Sequence, residues 1–313
     1  MNLTQQYKFY TLDVFTDQIF GGNPLAVFPK AQGLTDEQMQ KVAAEFNLSE
    51  TVFVLPPETS KGTRKLRIFT PKVELPFAGH PTVGTAYLLS YLGEIDQPEE
   101  PDTDLSIIFE EGVGLVPVTI KIKQGKPVYT ELQAAQLPEV KNDAPSIQEL
   151  AEILGLEITD FREDQYSPQG VSCGVPFLLI PLQNRTALGR INFNRDRWQH
   201  ILGKAWASAM YVFCDDPETE GTHLRSRMFA PAMGITEDPA TGSAATAFGA
   251  YLALRHPLTE GTLQWRIEQG LEMGRPSILE VAVEKHQGEI REIRVGGSSV
   301  LVSEGTMTIP LVR

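Results

Sequence analysis

Hydrophobic and polar positions alternate at the N-terminus and from Ile278 to Val312, which is the pattern of strands with one buried face. Glu50–Leu55 differs because its residues after the first are β-branched, aromatic or aliphatic, so Glu50 is predicted to begin a largely buried strand. Other strands are predicted at Lys8–Phe15, Leu25–Phe28, Arg67–Thr70, Leu105–Phe109, Leu115–Ile122, Phe177–Ile180, Ala209–Cys214, Ile278–Val283, Ile290–Val295, Ser299–Val302 and Thr306–Ile309.

Four segments have the signals of helices. Thr35 followed by Gln38 is a capping box, and apolar residues at spacings of three and four continue to Phe46, before Asn47. A second helix is expected near Ile147–Leu154. Two further helices begin at proline: one is predicted from Pro81 to Leu92 with Gly93 as its end, the other from Asp238-Pro239 through Leu254.

Several motifs occur twice, about 160 positions apart. Arg67-Ile-Phe-Thr-Pro71 returns as Arg227-Met-Phe-Ala-Pro231, and the same alignment pairs Glu50 with Met210 and His80 with Asp238. A repeat of this length indicates two copies of one structural unit. We expect an α+β fold of two pseudo-symmetric domains, 1–130 and 131–313, each a curved, mostly antiparallel sheet around a central helix. The last strand is expected to complete the first domain.

Composition narrows the class of protein. The 313 residues are 42% hydrophobic and 21% charged, which is typical of a folded globular protein, and the net charge is −13. Without a Lys/Arg cluster, this surplus of acid argues against nucleic-acid binding. No apolar run is long enough for a membrane span, and the N-terminus does not resemble a signal peptide. With only two cysteines, Cys173 and Cys214, in no redox or metal spacing, a reduced cytoplasmic protein is expected.

The two proline-led helices are candidates for anion binding. Small residues follow Asp238, so a small ligand can approach the free amides of the first turn, where the helix dipole favours a carboxylate or phosphate. Ordinary capping and close packing of the helix is the alternative interpretation. If both helix starts face one interdomain cleft, they can hold one small anionic metabolite between them.

Glu50 is the strongest candidate for chemistry. Its apolar neighbours would desolvate it, which favours the protonated form and suits an acid/base near neutral pH. Its partner in the repeat, Met210, is not an acid, so the fold does not require a carboxyl there. His80 and Asp238 are predicted to face each other across the cleft as a pair of titratable groups. A capping role for Asp238 and a structural imidazole at His80 are the alternatives.

Other kinds of site have weak support. The glycine pairs have neither Rossmann nor P-loop spacing, and the five histidines are scattered, so no nucleotide cofactor and no metal are predicted. Both cysteines are expected to be inert buried thiols. Ser243 has no histidine nearby in a nucleophile motif, so it is interpreted as a hydrogen-bond donor.

Motifs along nearly the whole chain resemble those of the PhzF-like (phenazine biosynthesis) proteins, relatives of diaminopimelate epimerase. They are Asp13-Val-Phe15, Gly22-Asn-Pro-Leu-Ala-Val27, Asn47-Leu-Ser-Glu-Thr-Val-Phe53, Arg67-Ile-Phe-Thr-Pro71, Phe77-Ala-Gly-His-Pro-Thr82 and Glu237-Asp-Pro-Ala-Thr-Gly-Ser-Ala244. The resemblance implies the duplicated epimerase-like fold, a cofactor-free site between the domains, and a homodimer.

The resemblance also implies roles for residues. Glu50 matches the family's acid/base, and His80, Asp238 and Ser243 match its polar active-site residues. Gly79 and Gly242 match the glycines whose amides hold a substrate carboxylate, and Thr241 is grouped with them as substrate-binding. A racemase with two thiols is disfavoured, because His80 and Asp238 stand where that class has cysteines.

The expected activity is an isomerase that moves a proton between carbons of a small, carboxylate-bearing metabolite, with Glu50 as general acid/base. One alternative returns the proton to the same carbon, as an epimerase or racemase does. The other is a protein that binds a small molecule without catalysis.

Overall fold

The computed structural model describes residues 4–96, 98–162 and 164–310. Its contacts divide the chain into two compact units, Met1–Gln133 with Gly296–Arg313 (unit 1) and Ala134–Val295 (unit 2). Over the described ranges, no helix is both long and apolar enough to cross a membrane.

In the residues that the structure describes, unit 1 has a mostly antiparallel sheet and two helices. In chain order its elements are β1 (Thr4–Val14), β2 (Asn23–Phe28), α1 (Asp36–Phe46), β3 (Glu50–Leu55), β4 (Arg64–Phe69), β5 (Glu74–Leu75), α2 (Gly79–Tyr91), β6 (Thr103–Glu111), β7 (Gly114–Lys123) and β8 (Lys126–Gln133). Neighbouring strands pair antiparallel, except that β2 pairs parallel with β3 and β4 pairs parallel with β6.

Unit 2 repeats this order with extra helices. Its elements are β9 (Glu139–Lys141), α3 (Ile147–Leu154), β10 (Gln169–Ser172), β11 (Pro176–Pro181), α4 (Arg185–Gly189), α5 (Arg195–Ile201), β12 (Ala209–Cys214), β13 (Leu224–Ala230), β14 (Ile235–Asp238), α6 (Gly242–Arg255), β15 (Gly261–Gln269), β16 (Ser277–His286) and β17 (Glu289–Gly297). The parallel steps recur at β11–β12 and β13–β15. The predicted α+β architecture, with two copies of one structural unit, is confirmed.

The C-terminal strand, β18 (Ser299–Pro310), pairs antiparallel with β1 along its length and belongs to unit 1. The sequence predicted two short strands here, and that prediction is wrong because Ser303, Glu304 and Gly305 continue the ladder opposite Thr11, Tyr10 and Phe9. A Cβ at position 305 would lie 2.5 Å from Cζ of Phe9, so glycine lets this ring lie directly over β18.

The helices α2 and α6 are the central helices of their units. Both are apolar around most of their circumference and are buried on nearly every side. Glycines let each approach its sheet closely: a Cβ on Gly84 would lie 2.6 Å from Cγ2 of Val14, and one on Gly249 would lie 2.4 Å from Cγ1 of Val281. Each helix therefore packs tightly against a strand of its own unit.

The smaller helices pack outside the sheets. The α1 helix has the predicted capping box of Thr35 and Gln38, ends at left-handed Asn47, and buries Met39, Val42 and Ala43. It covers a cluster that contains the stacked rings of Phe28 and Phe53. In unit 2, α3, α4 and α5 cover the corresponding side of β11 and β12 with a second apolar cluster.

Candidate active site

Glu50 is the first residue of β3, as predicted, and is only 7% exposed. It is paired with Leu25 of the parallel strand β2, and the following residues, Thr51 to Val54, are buried as well. The apolar run that makes β3 an interior strand therefore also removes the carboxyl from solvent.

His80 is the second residue of α2, after Gly79, and both are buried. Proline had been expected to begin this helix at position 81, but the helix begins two residues earlier, at Gly79. Ala78 is the N-cap and supplies no side-chain hydrogen bond. The first amides of α2 thus have no side-chain cap, which leaves a partial positive charge at the helix start.

Glu50 and His80 contact each other. Oε2 of Glu50 lies 3.4 Å from Nε2 of His80. The distance would fit an ion pair, but burial lowers the pKa of His80 from 6.5 to about 3. Complete desolvation disfavours the charged imidazolium more than one contact at this distance favours it, so we take the imidazole as neutral at neutral pH. The pair is therefore a carboxyl group beside a neutral imidazole.

In unit 2, Asp238 is the last residue of β14 and is 4% exposed. Its Oδ2 accepts a 2.5 Å hydrogen bond from Oγ1 of Thr241. Gln269 fixes both residues: its Nε2 donates to the carbonyl of Asp238 at 2.8 Å and to Oγ1 of Thr241 at 3.2 Å, and its Oε1 accepts from the amide of Thr241 at 3.3 Å. The carboxylate and the segment before α6 are thereby held in one arrangement.

The α6 helix begins with Gly242 and Ser243, after Thr241 as N-cap. Thr241 makes no side-chain cap bond, since its hydroxyl is turned to Asp238. Ser243 is the partly exposed residue of this first turn, while Gly242 and Ala244 are buried. The start of α6 therefore offers backbone amides and one accessible hydroxyl.

The predicted equivalence of His80 and Asp238 is wrong. In each copy a strand is followed by three linking residues that begin with proline: β5 ends at Leu75 before Pro76, and β14 ends at Asp238 before Pro239. Asp238 therefore corresponds to Leu75. The helices then begin at Gly79 and Gly242, so the second residues, His80 and Ser243, correspond. The sequence motifs match Pro239 to Pro81, whereas the structure matches it to Pro76.

The side chains around these strands confirm the new alignment. Arg67 binds both carboxylate oxygens of Glu74, just before Leu75, with N–O distances of 2.8 and 2.7 Å. Arg227 binds those of Glu237, just before Asp238, at 2.7 and 2.8 Å. The same bidentate Arg–Glu pair in both copies fixes the alignment of one copy on the other. Asp238 is thus an acid where the other copy has leucine.

The partner of Glu50 in the repeat also changes. Leu25 of β2 pairs with Glu50, and Phe177, which likewise follows the proline of the Gly-x-Pro motif, pairs with Ala209. Ala209, and not Met210, corresponds to Glu50. The inference that the fold needs no acid at this position holds with the corrected residue.

Two polar residues near these helix starts, Gln269 and Glu111, were not predicted from the sequence. They end the equivalent strands β15 and β6, and each contacts the first turn or N-cap of the central helix of its unit. The signal was present as the echo of Glu110-Glu-Gly112 in Glu268-Gln-Gly270. It could be noticed in the sequence but not assigned to the helix starts without the strand pairing.

Cys173 and Cys214 are distant in sequence from the residues at the two helix starts, and both are buried and free. Burial raises the pKa of Cys173 to about 12 and that of Cys214 to about 11, so both thiols stay protonated. Among the residues that the structure describes, no group of three or more His, Cys, Asp or Glu side chains is placed to hold a metal ion.

Known proteins match this chain over nearly its whole length. The family model PhzC-PhzF, described as phenazine biosynthesis-like protein, matches residues 12–305. An uncharacterized isomerase of Mesorhizobium japonicum is 39% identical, with 98% of this chain and 99% of the relative covered. The trans-2,3-dihydro-3-hydroxyanthranilate isomerase of Pseudomonas aeruginosa is 33% identical, with 96% of this chain and 98% of the relative covered.

A solved structure matches along the same length. The phenazine biosynthesis protein of the PhzF family from Bacillus anthracis superposes with a TM-score of 0.86 at 28% identity, covering 97% of this chain and 99% of that one.

Proposed function

Because the chain belongs to the phenazine biosynthesis-like (PhzF) family and its relatives are isomerases, we propose that it is a cofactor-independent isomerase in which Glu50 is the general acid/base. The observation that carries this proposal is the carboxyl of Glu50, 7% exposed and in contact with a neutral imidazole. The second copy of the fold has Ala209 at this position, so the strand itself does not require an acid there.

The proposed reaction moves one proton. The Glu50 carboxylate takes a proton from an activated carbon of the substrate, and the electron pair of that C–H bond shifts into the adjoining unsaturated system. The resulting carboxylic acid returns the proton to a second carbon, so the product is an isomer and the enzyme is unchanged. A positioned acid/base contributes about 10²–10⁴-fold to the rate of such a step.

His80 suits the role of partner to Glu50. Its pKa of about 3 means that, near neutral pH, it does not take the proton that Glu50 receives from the substrate. A neutral imidazole can still exchange a hydrogen bond with the carboxyl and orient it. We therefore assign His80 to positioning and polarisation, and Glu50 to proton transfer.

The substrate is proposed to carry a carboxylate. The first turn of α2, at Gly79, has amides without a side-chain cap, and such helix starts bind anions. The first turn of α6, at Gly242, likewise receives no side-chain cap from its N-cap residue, Thr241. We propose that Asp238 and Ser243 act in the same reaction as polar groups that orient the substrate.

The first compound to test is trans-2,3-dihydro-3-hydroxyanthranilate, on which the Pseudomonas aeruginosa relative is named as acting. It is a small cyclic carboxylate and so belongs to the proposed class. If it is not turned over, related unsaturated cyclic carboxylates are the next set.

The test is a kinetic comparison of Glu50→Gln with wild type. The amide keeps the shape of the side chain but cannot accept a proton, so kcat should fall by about 10²–10⁴-fold while the Kd for substrate stays within about threefold. Glu45→Gln, on the exposed side of α1, is the matched control and should leave both constants unchanged. Equal kcat in Glu50→Gln and wild type would remove Glu50 from the mechanism.

Product analysis in the same assay separates the alternatives. A shifted double bond supports the isomerase, an inverted stereocentre with the same connectivity supports an epimerase, and tight binding without turnover supports a binding protein.

A further inference from the structure

The strand β6 ends in a buried carboxyl that the proposed mechanism does not use. Glu111 is 8% exposed, and its Oε1 lies 2.7 Å from Oγ1 of Thr82, in the first turns of α2. Oγ1 of Thr82 also lies 2.8 Å from the carbonyl oxygen of Ala78, the N-cap of the same helix. Three oxygen atoms therefore share two hydrogen bonds at the start of α2.

The number of protons shared by Glu111, Thr82 and the carbonyl of Ala78 decides the charge of Glu111. The threonine hydroxyl has one proton, and the carbonyl of Ala78 can only accept. If Thr82 donates to that carbonyl, the bond between Thr82 and Glu111 needs a proton from Glu111. Two full hydrogen bonds can be present together only when Glu111 is a neutral carboxylic acid, because a carboxylate would leave the one proton of Thr82 divided between two acceptors.

The second oxygen of Glu111 points to the same protonation state. Among the described residues, Oε2 is buried and has no hydrogen-bond partner. An unpartnered oxygen costs much more as part of a carboxylate than as the carbonyl of a carboxylic acid. Burial accordingly raises the pKa of Glu111 from 4.5 to about 8, and the bond to Thr82 opposes this only in part.

The other copy of the fold supplies a comparison. Gln269 occupies the equivalent position at the end of β15, where the pairing of β13 with β15 repeats that of β4 with β6. Its neutral carboxamide holds the N-cap of α6 by donating to Oγ1 of Thr241 and accepting from its amide. A protonated glutamate is nearly isosteric with glutamine and can likewise donate one hydrogen bond and accept others.

We propose that Glu111 is a positioning residue: a neutral carboxylic acid that donates a hydrogen bond to Thr82 and holds the first turn of α2, which carries Gly79 and His80, in place. Its effect on catalysis rests on the proposed function of Glu50 and His80. The protonation of Glu111 and its hydrogen bond to α2 do not depend on that function.

Charged side chains on the neighbouring elements do not explain the raised pKa of Glu111. The ionisable side chains on these elements are His80, Tyr87 and Tyr91 of α2, Arg64, Lys65 and Arg67 of β4, Lys121 and Lys123 of β7, and Asp104 and Glu110 of β6 itself. Burial and the Thr82 bond are the influences that set the pKa of Glu111.

Infrared spectroscopy tests the protonation directly. The difference spectrum of wild type minus Glu111→Gln should contain the carbonyl stretch of one protonated carboxylic acid at neutral pH, and this band should titrate away with a midpoint near pH 8. If the difference instead shows a carboxylate at neutral pH, the proposal is wrong.

Unfolding gives a second readout that needs no substrate. Because the folded pKa of Glu111 is above its unfolded value, the folded state binds more protons between the two, and wild type loses stability as the pH rises through this window. Glu111→Gln lacks this loss. From about pH 5 to about pH 8, its unfolding constant should fall relative to that of wild type by on the order of 10²-fold. A ratio that does not change with pH would contradict a neutral Glu111.

Positioning is tested by hydrogen exchange and kinetics. In Glu111→Ala the amides in the first turn of α2 should exchange at least about tenfold faster than in wild type, and in Glu111→Gln they should not. Where a substrate has been found, kcat should fall about tenfold or more in Glu111→Ala and be retained in Glu111→Gln. If Glu111→Ala does not fold, Thr82→Val replaces it, since it removes the same bond from the other side.

Each result bears on a defined part of the proposal. Equal exchange in the alanine, glutamine and wild-type proteins would overturn the positioning role. Failure of the Glu50 mechanism would leave the infrared band, the pH-dependent unfolding and the exchange rates intact, so the two proposals fail separately.

Discussion

At the scale of single residues, burial decides the charge of the candidate site. His80 is neutral because it is enclosed, and Glu50 beside it is enclosed by the apolar strand that it begins. The sequence predicted the burial of Glu50, since an apolar run is visible without a structure. The contact between Glu50 and His80 could not be predicted in the same way, because it depends on how α2 lies against β3.

The pKa of His80 predicts a dependence of stability on pH. In the unfolded chain His80 takes up a proton below about pH 6.5, whereas in the folded state it stays neutral down to about pH 3. The unfolded state therefore gains protons as the pH falls, and wild type should lose about 2 kcal/mol between neutral pH and about pH 5 through this residue.

Urea unfolding of wild type and His80→Gln at both pH values measures this loss. The variant should lack it, while His200→Gln, at an exposed histidine, should behave as wild type. Identical pH profiles for wild type and His80→Gln would show that the imidazole is protonated in the folded state.

At the scale of elements, the sequence predicted best where a signal is local. The strands Glu50–Leu55 and Ala209–Cys214 and the helix Ile147–Leu154 have the predicted bounds. The predicted start of α6 is too early, because proline is compatible with the first turn of a helix. In the structure Pro239 belongs to the segment before the helix, which β14 and Gln269 hold in place. That constraint comes from strands distant in sequence.

A repeated turn offers a prediction at this scale. The carboxylate of Glu268, fully buried, accepts hydrogen bonds from the amides of Glu218 and Thr219 at 2.8 and 2.7 Å, and Glu110 does the same for Glu58 and Thr59 at 2.6 and 2.8 Å. Each turn between two strands is thus closed by a carboxylate from a third strand.

Replacing Glu268 with alanine leaves two amides without acceptors and removes one partner of Arg225. The free energy of unfolding should fall by about 3 kcal/mol. Chemical denaturation measures the change, and Glu284→Ala, an exposed glutamate on β16, should shift it by less than about 0.5 kcal/mol. A similarly small effect of Glu268→Ala would mean that water replaces the carboxylate in this turn.

At the scale of the whole molecule, the two ends of the chain belong to one unit. Met307 and Ile309 of β18 pack in the apolar cluster beneath α1, and β18 pairs with β1 over its full length. The repeat in the sequence predicted two copies of a fold, because similar motifs in the same order imply similar elements. The repeat could not show which residues correspond in the segment between the strand and the central helix of each copy. Proline occurs there at different distances from the repeated motifs.

Removal of residues 299–313 should therefore damage unit 1 first. Without β18, β1 loses its long antiparallel partner and the cluster loses two apolar side chains, while the contacts within unit 2 are unchanged. Limited proteolysis with mass spectrometry should show early cleavage within 1–133 and later cleavage within 134–295. Equal rates of cleavage in the two segments would contradict this assignment of β18.

A homodimer remains a prediction from the family resemblance. Sedimentation equilibrium should give twice the chain mass of 34.6 kDa at micromolar concentration. A single species of the chain mass across that range would show that the protein acts as a monomer.

The central claim, that one buried glutamate carries the migrating hydrogen, is tested most directly by isotope transfer. For a metabolite that the wild type converts, mass spectrometry and NMR of samples in D₂O should find deuterium on carbon at the new position in the turnovers in which the proton held by Glu50 exchanges with solvent before it is returned. Glu50→Gln, saturated with the same metabolite, should incorporate none, whereas Glu45→Gln should match wild type. Deuterium incorporation by Glu50→Gln at the wild-type rate would show that another group transfers the proton.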